Sequence, residues 1–237
     1  MPLNKQRGNM YGWVSHTWNP LAGACPHSCH YCSTDSLTAR SRTLKQKYSG
    51  EPRIVKSELR VGHGSGNTIF VCNMSDLFAE AVATEIILQV LERCRSFTDN
   101  TYLFQSKNPA RFLEFEREIY PEKVIFCTTI ETNIKHDGLS CAPIPRHRAD
   151  AMIQVKERFP WAKTSVTVEP ILDFWEYQFA DMLKEIAPDF LSIGADSKRH
   201  GLDEPAWEKV IRLIDTLERA KLKVERKSNL ERLIKQG

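Results

Sequence analysis

Short, strand-like runs dominated by apolar residues alternate along this chain with longer segments in which apolar residues return every three or four positions. The runs are Tyr11–Thr17, Thr68–Cys72, Tyr102–Phe104, Val124–Thr129, Ser165–Val168, Phe190–Ile193 and Leu222–Val224. Their lack of polar alternation predicts strands buried on both faces. The segments between them carry helical signals. Thr84 reads as the N-cap of a helix through Arg95, with Ile86, Ile87, Val90, Leu91 and Cys94 on one face. Asn108-Pro109 opens another, residues 33–47 and 145–158 are helical, and a helix spans Asp173–Ile186. Asp203 and Pro205 open a helix with Val210, Ile211, Ile214 and Leu217 on one face, and a basic helix closes the chain over 221–237. Residues 48–66, polar and containing several glycines, read as an excursion or lid.

Strands alternating with helices predict an α/β protein built from βαβ units on a parallel sheet. The 237 residues form a single domain close to the roughly 250 of a (β/α)8 barrel. The right-handed crossover rule admits a flat doubly wound sheet as well as a barrel. Six to seven parallel strands, each after the first followed by a helix, suit a partial or nearly closed (β/α) barrel better.

Composition narrows the class. Hydrophobic residues make up 41% and charged residues 27%, as in an ordinary soluble protein. No apolar run approaches the length of a membrane span, and Met1–Tyr11 lacks the apolar core of a signal peptide. The expectation is a cytoplasmic protein with reduced thiols and no membrane contact. The net charge of +3 is uneven. Residues 40–60 hold seven Lys/Arg against two Glu, and residues 221–237 hold six against two. Two basic ends around an acidic middle suit a polyanion, although charge runs are ordinarily solvated surface.

The chemistry centres on Cys25-Pro26-His27-Ser28-Cys29-His30-Tyr31-Cys32. Three thiolates at C-x3-C-x2-C spacing on one tight loop are enough for three irons of a cubic iron–sulfur cluster. Such clusters usually take four cysteines, so a fourth iron would keep an open position. The next cysteine, Cys72, lies forty residues on. The rival is a Cys3His zinc site completed by His27 or His30, which would make the chain a zinc-stapled nucleic-acid-binding module without catalysis. An odd count of seven cysteines speaks against a disulfide framework. Cys72, Cys94 and Cys127 sit in strand or helix cores as small hydrophobes, and Cys141 lies in a loop.

The cysteine motif, with its aromatic residue before the last cysteine, resembles the signature of the radical S-adenosylmethionine (SAM) superfamily. Trp18-Asn19-Pro20, Asn73-Met74-Ser75-Asp76, Glu169-Pro170 and Lys227-Ser228-Asn229 extend the resemblance to a small phage-associated branch of that superfamily, over nearly the whole chain. The resemblance implies a 4Fe-4S cluster on Cys25, Cys29 and Cys32, with SAM chelated at the open iron. One electron, from a flavodoxin- or ferredoxin-type donor, cleaves SAM to a 5′-deoxyadenosyl radical that abstracts hydrogen from a substrate. It also implies an active site at the C-terminal strand ends, where the polar residues gather. By position, Asn73, Ser75 and Asp76 would receive the amino group of SAM, although the family pattern there is Gly-Gly-Glu. Thr129 and Glu131 would serve the ribose and carboxylate, Gly194-Ala195 would let the adenine approach, and Tyr31 would lie beside it. Glu169 and Lys107 are the candidate catalytic groups. Glu169 would accept a proton, bind a substrate amine or complete the SAM site, or else form a salt bridge with Lys107 or Lys227. The basic stretches make a nucleotide or nucleic acid the candidate substrate.

Overall fold

The computed structural model describes residues 3–6 and 10–234. At one edge of the main sheet, β1 (Asn4–Lys5) runs antiparallel to β2 (His16–Trp18). A separate ribbon pairs β3 (Leu21–Ala22) with β4 (Arg53–Ile54). The main sheet continues through β5 (Thr68–Val71), β6 (Thr101–Gln105), β7 (Val124–Thr129), β8 (Lys163–Val168), β9 (Phe190–Ile193) and β10 (Val224–Arg226). From β2 to β10 each strand is parallel to its neighbour, and β1 and β10 remain as open edges. The fold is therefore the expected α/β arrangement of seven parallel strands, open rather than closed. No helix among the described residues is long and apolar enough to cross a membrane.

Because successive side chains point to opposite faces, β5, β6, β7 and β9 each feed two cores. Ile69, Val71, Tyr102, Phe104, Phe126, Val166, Leu191 and Ile193 face the helical layer. That layer comprises α3 (Thr84–Arg95), α4 (Pro145–Arg158), α5 (Glu176–Ile186) and α6 (Trp207–Arg219). Phe70, Leu103, Ile125, Cys127 and Phe190 face the other way, into a second core shared with Tyr11 and Val14. Tyr11 stacks on Trp13 at 5.0 Å and on Phe70 at 6.2 Å, while Trp13 meets Phe190 edge-on at 5.2 Å. The Trp13 indole donates to Glu225 Oε2 of the last strand at 3.0 Å. One short segment thus touches strands on both sides of the sheet, which must wrap around it. Residues 11–14, expected as the body of the first strand, are instead an aromatic plug; the strand itself is only His16–Trp18.

Other expectations shift at their boundaries. Residues 33–47 form two short helices, α1 (Ser33–Thr38) and α2 (Arg42–Lys47), parted where the Ser41 hydroxyl accepts from Leu44 N at 3.3 Å. The Pro109–Glu114 turn is a 3-10 helix, whose Arg111 is buried and donates to the carbonyl oxygens of Ala79 and Glu80. Helix α3 has Ala83 as its cap, with Thr84 as its first residue. Asp173 and Asp203 precede their helices without capping them. The amide of Asp173 donates to the carbonyl of Asp203 at 2.7 Å, and its carboxylate pairs with Lys209 at 2.6 Å. The terminal basic helix, α7 (Glu231–Ile234), is one turn within the described residues; positions 235–237 lie outside them.

Residues 48–66 are anchored rather than free. β4 pairs with β3, Val61 is buried, and His63 is 1% exposed. The His63 ring lies 4.4 Å from Trp18 and 4.7 Å from Phe97, with Nδ1 2.9 Å from the Tyr102 hydroxyl. Burial, and secondarily Arg93, lower its pKa from 6.5 to about 4. Between those values the unfolded chain binds a proton that the folded chain refuses. The contribution of His63 is therefore fully present above pH 6.5 and is lost as pH drops toward 4. A shift of this size corresponds to about 3 kcal/mol. Urea unfolding across that window should show the wild type losing this increment relative to His63→Gln; parallel slopes would refute it.

Candidate active site

A cavity of about 560 Å³ opens at the C-terminal ends of the parallel strands. The cysteine loop forms one wall, and Cys25, Cys29, Tyr31 and Cys32 all line it. Two tight turns shape the loop: Ser28 N donates to Cys25 O at 3.3 Å, and Cys32 N to Cys29 O at 3.0 Å. Further backbone bonds tie it outward, from Ala24 N to Gly50 O at 2.8 Å, His30 N to Leu139 O at 2.9 Å and Cys141 N to His27 O at 2.7 Å. Gly23 enters the loop at φ +103°, where a Cβ would stand 2.4 Å from Glu51 O, so only glycine fits. The Ser140 hydroxyl lies 3.3 Å from Cys29 Sγ. Burial, with Asp76 adding to it, pushes the Cys25 thiol up to about 12; burial raises Cys29 too. Iron-free, these thiols hold their protons, and metal binding would displace them.

The histidines of the zinc alternative are not gathered with the thiols. His27 Nε2 is 2.8 Å from Asp76 Oδ2, and His30 is exposed, its ring 6.3 Å from that of His200. Among the described residues no three His, Cys, Asp or Glu side chains converge on one ion position.

Asp76 is buried at the end of β5. Besides His27, it accepts from Ser106 Oγ at 3.0 Å, Lys107 N at 2.8 Å and Phe78 N at 2.9 Å. It lines the cavity but braces the cysteine loop against the ends of β5 and β6. Asn73 Oδ1 accepts from Asn19 Nδ2 at 2.8 Å, and both Asn73 and Ser75 line the cavity. Thr129 lines it also, its hydroxyl accepting from Gln105 Nε2 at 3.0 Å.

Glu131 lies behind this wall, 1% exposed. Arg148 reaches both its oxygens, at 2.8 and 3.3 Å, and Lys107 Nζ and the Tyr31 hydroxyl both bond Oε1. Burial alone would raise the Glu131 pKa; Lys107 and Arg148 override it and hold the carboxyl well below the usual range. The network fastens Tyr31 of the cysteine loop to β7 and α4.

Glu169 is not brought to Lys107. It pairs with Lys227 Nζ at 2.6 Å and accepts from Asn229 Nδ2 at 2.7 Å, at the opposite end of the cavity. Lys227 also covers the Tyr11 ring at 4.9 Å. Gly194 is where this cluster needs room: a Cβ there would meet the Glu169 carboxyl at 2.8 Å and Asn229 Oδ1 at 2.9 Å. Its small size accommodates Glu169, while the neighbouring Ala195 is the one that lines the cavity. Gly194→Ala should force Glu169 aside and cost about 1–3 kcal/mol by overpacking. Unchanged thermal stability would show that the side chain yields freely.

Three site residues escaped the sequence reading. Tyr11 lines the cavity, its hydroxyl donating to Gln105 Oε1 at 2.8 Å and lying 2.5 Å from Thr167 Oγ1. His200 also lines it, with Nδ1 2.7 Å from the buried Asp196 carboxylate. Arg148 holds Glu131; its only sequence signal was a cation on the apolar face of α4, beside Ala151, Met152 and Val155.

Residues 9–212 match the family described as "Protein of unknown function (DUF5131)". The chain belongs to this family. No curated protein matches it in sequence. Among solved structures it resembles a spore photoproduct lyase variant with bound AdoMet and dinucleoside spore photoproduct, at TM-score 0.60 and 14% identity over 95% of this chain and 80% of that one. Spore photoproduct lyase complexed with dinucleoside spore photoproduct gives 0.61 and 15%, over 93% and 78%. Streptococcus suis SuiB bound to S-adenosylmethionine gives 0.54 and 12%, over 93% of this chain but 49% of that one. The fold of this DUF5131 chain is thus that of radical SAM enzymes. The phage association is carried by the sequence resemblance alone.

Proposed function

We propose that this DUF5131 chain is a radical SAM enzyme, with a 4Fe-4S cluster on Cys25, Cys29 and Cys32 and SAM in the adjoining cavity. One observation carries the reading: three thiols of a single pinned loop open on a cavity at the polar rim of a parallel α/β sheet. The donor set fits the cluster, since thiolates are its usual ligands. Together the two cofactors supply a 5′-deoxyadenosyl radical able to take hydrogen from a substrate.

The chain's own residues divide the remaining work. Asn73 and Ser75 offer oxygens to an ammonium group beside the cluster loop. Lys107, fixed by Glu131, suits a carboxylate, and Tyr31 offers a flat face. Thr129 and Gln105 present hydroxyl and amide groups to a ribose. At the far end Glu169 and Lys227 face the remaining space, where Glu169 must exchange its lysine for a substrate group before accepting a proton. A flavodoxin- or ferredoxin-type protein would deliver the electron, and the substrate would be a nucleotide or nucleic acid.

The test is anaerobic reconstitution followed by incubation with dithionite and SAM. The expected result is brown protein with about four irons per chain and release of 5′-deoxyadenosine. Colourless protein holding one zinc would establish the zinc-stapled module instead.

A further inference from the structure

One basic stretch with few acidic partners follows directly on the wall of the cavity. Of the seven cations in residues 40–60, Lys47 pairs with Glu58 at 3.6 Å and Arg53 donates to carbonyls of its own loop. Arg40, Arg42, Lys45, Lys56 and Arg60 are exposed and ion-pair with no described residue. The C-terminal stretch behaves differently. There Lys223 pairs with Glu225 at 3.4 Å, Arg226 with Glu218 at 3.2 Å and Lys227 with Glu169 at 2.6 Å, and Arg232 pairs with Glu204. Tertiary contacts pair four cations of the C-terminal stretch, leaving Lys221 exposed, whereas five of the seven in residues 40–60 have no described acidic partner.

The 40–60 stretch follows on from the site. Helix α1 starts directly after Cys32, and its Ser33, Thr34 and Leu37 line the cavity, Leu37 being 43% exposed. Across the mouth, exposed Lys198 lines the cavity too, followed by exposed Arg199. The loop carrying them meets the cysteine loop through the His200–His30 ring contact at 6.3 Å. Lys198 thus stands at the mouth with Arg199 beside it, and α1 leads from the cavity wall to exposed Arg40, Arg42 and Lys45, with Asp35 and Glu51 as exposed acids in the same stretch.

We propose that this basic lip binds single-stranded nucleic acid, whose phosphates lie across α1–α2 and the 197–200 loop while one nucleotide enters the cavity. Unpaired arginines match phosphate oxygens in bidentate geometry. A single strand presents its bases without the unstacking cost of a duplex. The proposal rests on the enzymatic reading for the purpose of the cavity, but the binding requires neither cluster nor SAM.

Fluorescence anisotropy with labelled single-stranded DNA and RNA, longer than a typical site of up to about 16 nucleotides, tests it over a range of salt. Arg40, Arg42, Lys45, Lys198 and Arg199, one phosphate contact each, predict a log–log slope as steep as about −3.5, at about −0.7 per contact. R40Q/R42Q/K45Q should flatten the slope by about 2 and weaken low-salt binding at least roughly tenfold, and K198Q/R199Q should flatten it by about 1.4. K223Q/R226Q, which removes cations already paired, should change neither. No binding at low salt, or equal loss in the C-terminal variant, overturns the proposal. So does a lip variant that loses binding to an acidic flavodoxin while no oligonucleotide binds the wild type. Iron-free protein is run in parallel: retained oligonucleotide binding without 5′-deoxyadenosine formation in the reconstituted enzyme would sink the enzymatic reading alone.

Discussion

Replacing any one of Cys25, Cys29 and Cys32 by Ala is expected to abolish iron binding and 5′-deoxyadenosine formation, whereas Cys94→Ala and Cys72→Ala retain both. The three loop thiols line the cavity on a backbone fixed by the 24–50, 27–141 and 30–139 hydrogen bonds. Cys94 is fully buried on the apolar face of α3 and acts as a small hydrophobe. Cys72 is the sharper control, because it also lines the cavity. It sits at φ +59° where the chain turns out of β5, and burial pushes its thiol up to about 12. Iron analysis and visible absorbance decide the matter. An iron-loaded, active Cys29→Ala protein would end the cluster assignment, and iron loss in Cys72→Ala would make it a fourth ligand.

The second large effect is structural. Arg148→Met should destabilise the protein by about 3–5 kcal/mol, the usual cost of stripping one partner from a buried ion pair. Glu131 would keep only Lys107 and the Tyr31 hydroxyl for a fully buried charge. Adding Glu131→Leu should recover only part of the loss, because it removes the buried carboxylate but leaves Lys107 and the Tyr31 hydroxyl without their partner. The pH dependence carries the same signature. The Glu131 pKa is depressed in the folded state, so its stabilisation is complete above the unfolded value of 4.5 and is lost as pH falls below it. Urea unfolding should show a shallower acid limb in Arg148→Met than in the wild type. Two variants of equal stability and equal acid slope would refute the network.

Much of the site was legible because it depends on local spacing. C-x3-C-x2-C puts three thiols on one loop whatever surrounds it, and polar residues directly after apolar strands fall on one rim of a parallel sheet. Partner choice was not legible. Asp76, Glu131 and Glu169 look alike as strand-end acids. Asp76 holds His27 and two strand ends, Glu131 is enclosed by cations from β6 and α4, and Glu169 pairs with Lys227 from beyond the last strand. Lys107 and Lys227 were equal candidates for Glu169 until the sheet placed Lys107 beside Glu131 instead.

By itself the sequence determined the parallel α/β architecture and the cysteine loop, because both follow from short-range pattern: strands buried on two faces need uninterrupted apolar residues, and a tight loop needs only neighbours in the chain. Tertiary structure alone decided that Tyr11–Val14 fills the inner face of an open sheet rather than extending its first strand. An aromatic run satisfies either role locally, and only a wrapped sheet with an uncovered apolar face selects the plug. It also decided how the two basic ends differ, because Glu218, Glu169 and Glu204 reach C-terminal cations from distant positions while no described acid pairs with Arg40, Arg42 or Lys45. Net charge is a sum over the chain; free charge depends on which side chains folding brings within a few ångströms.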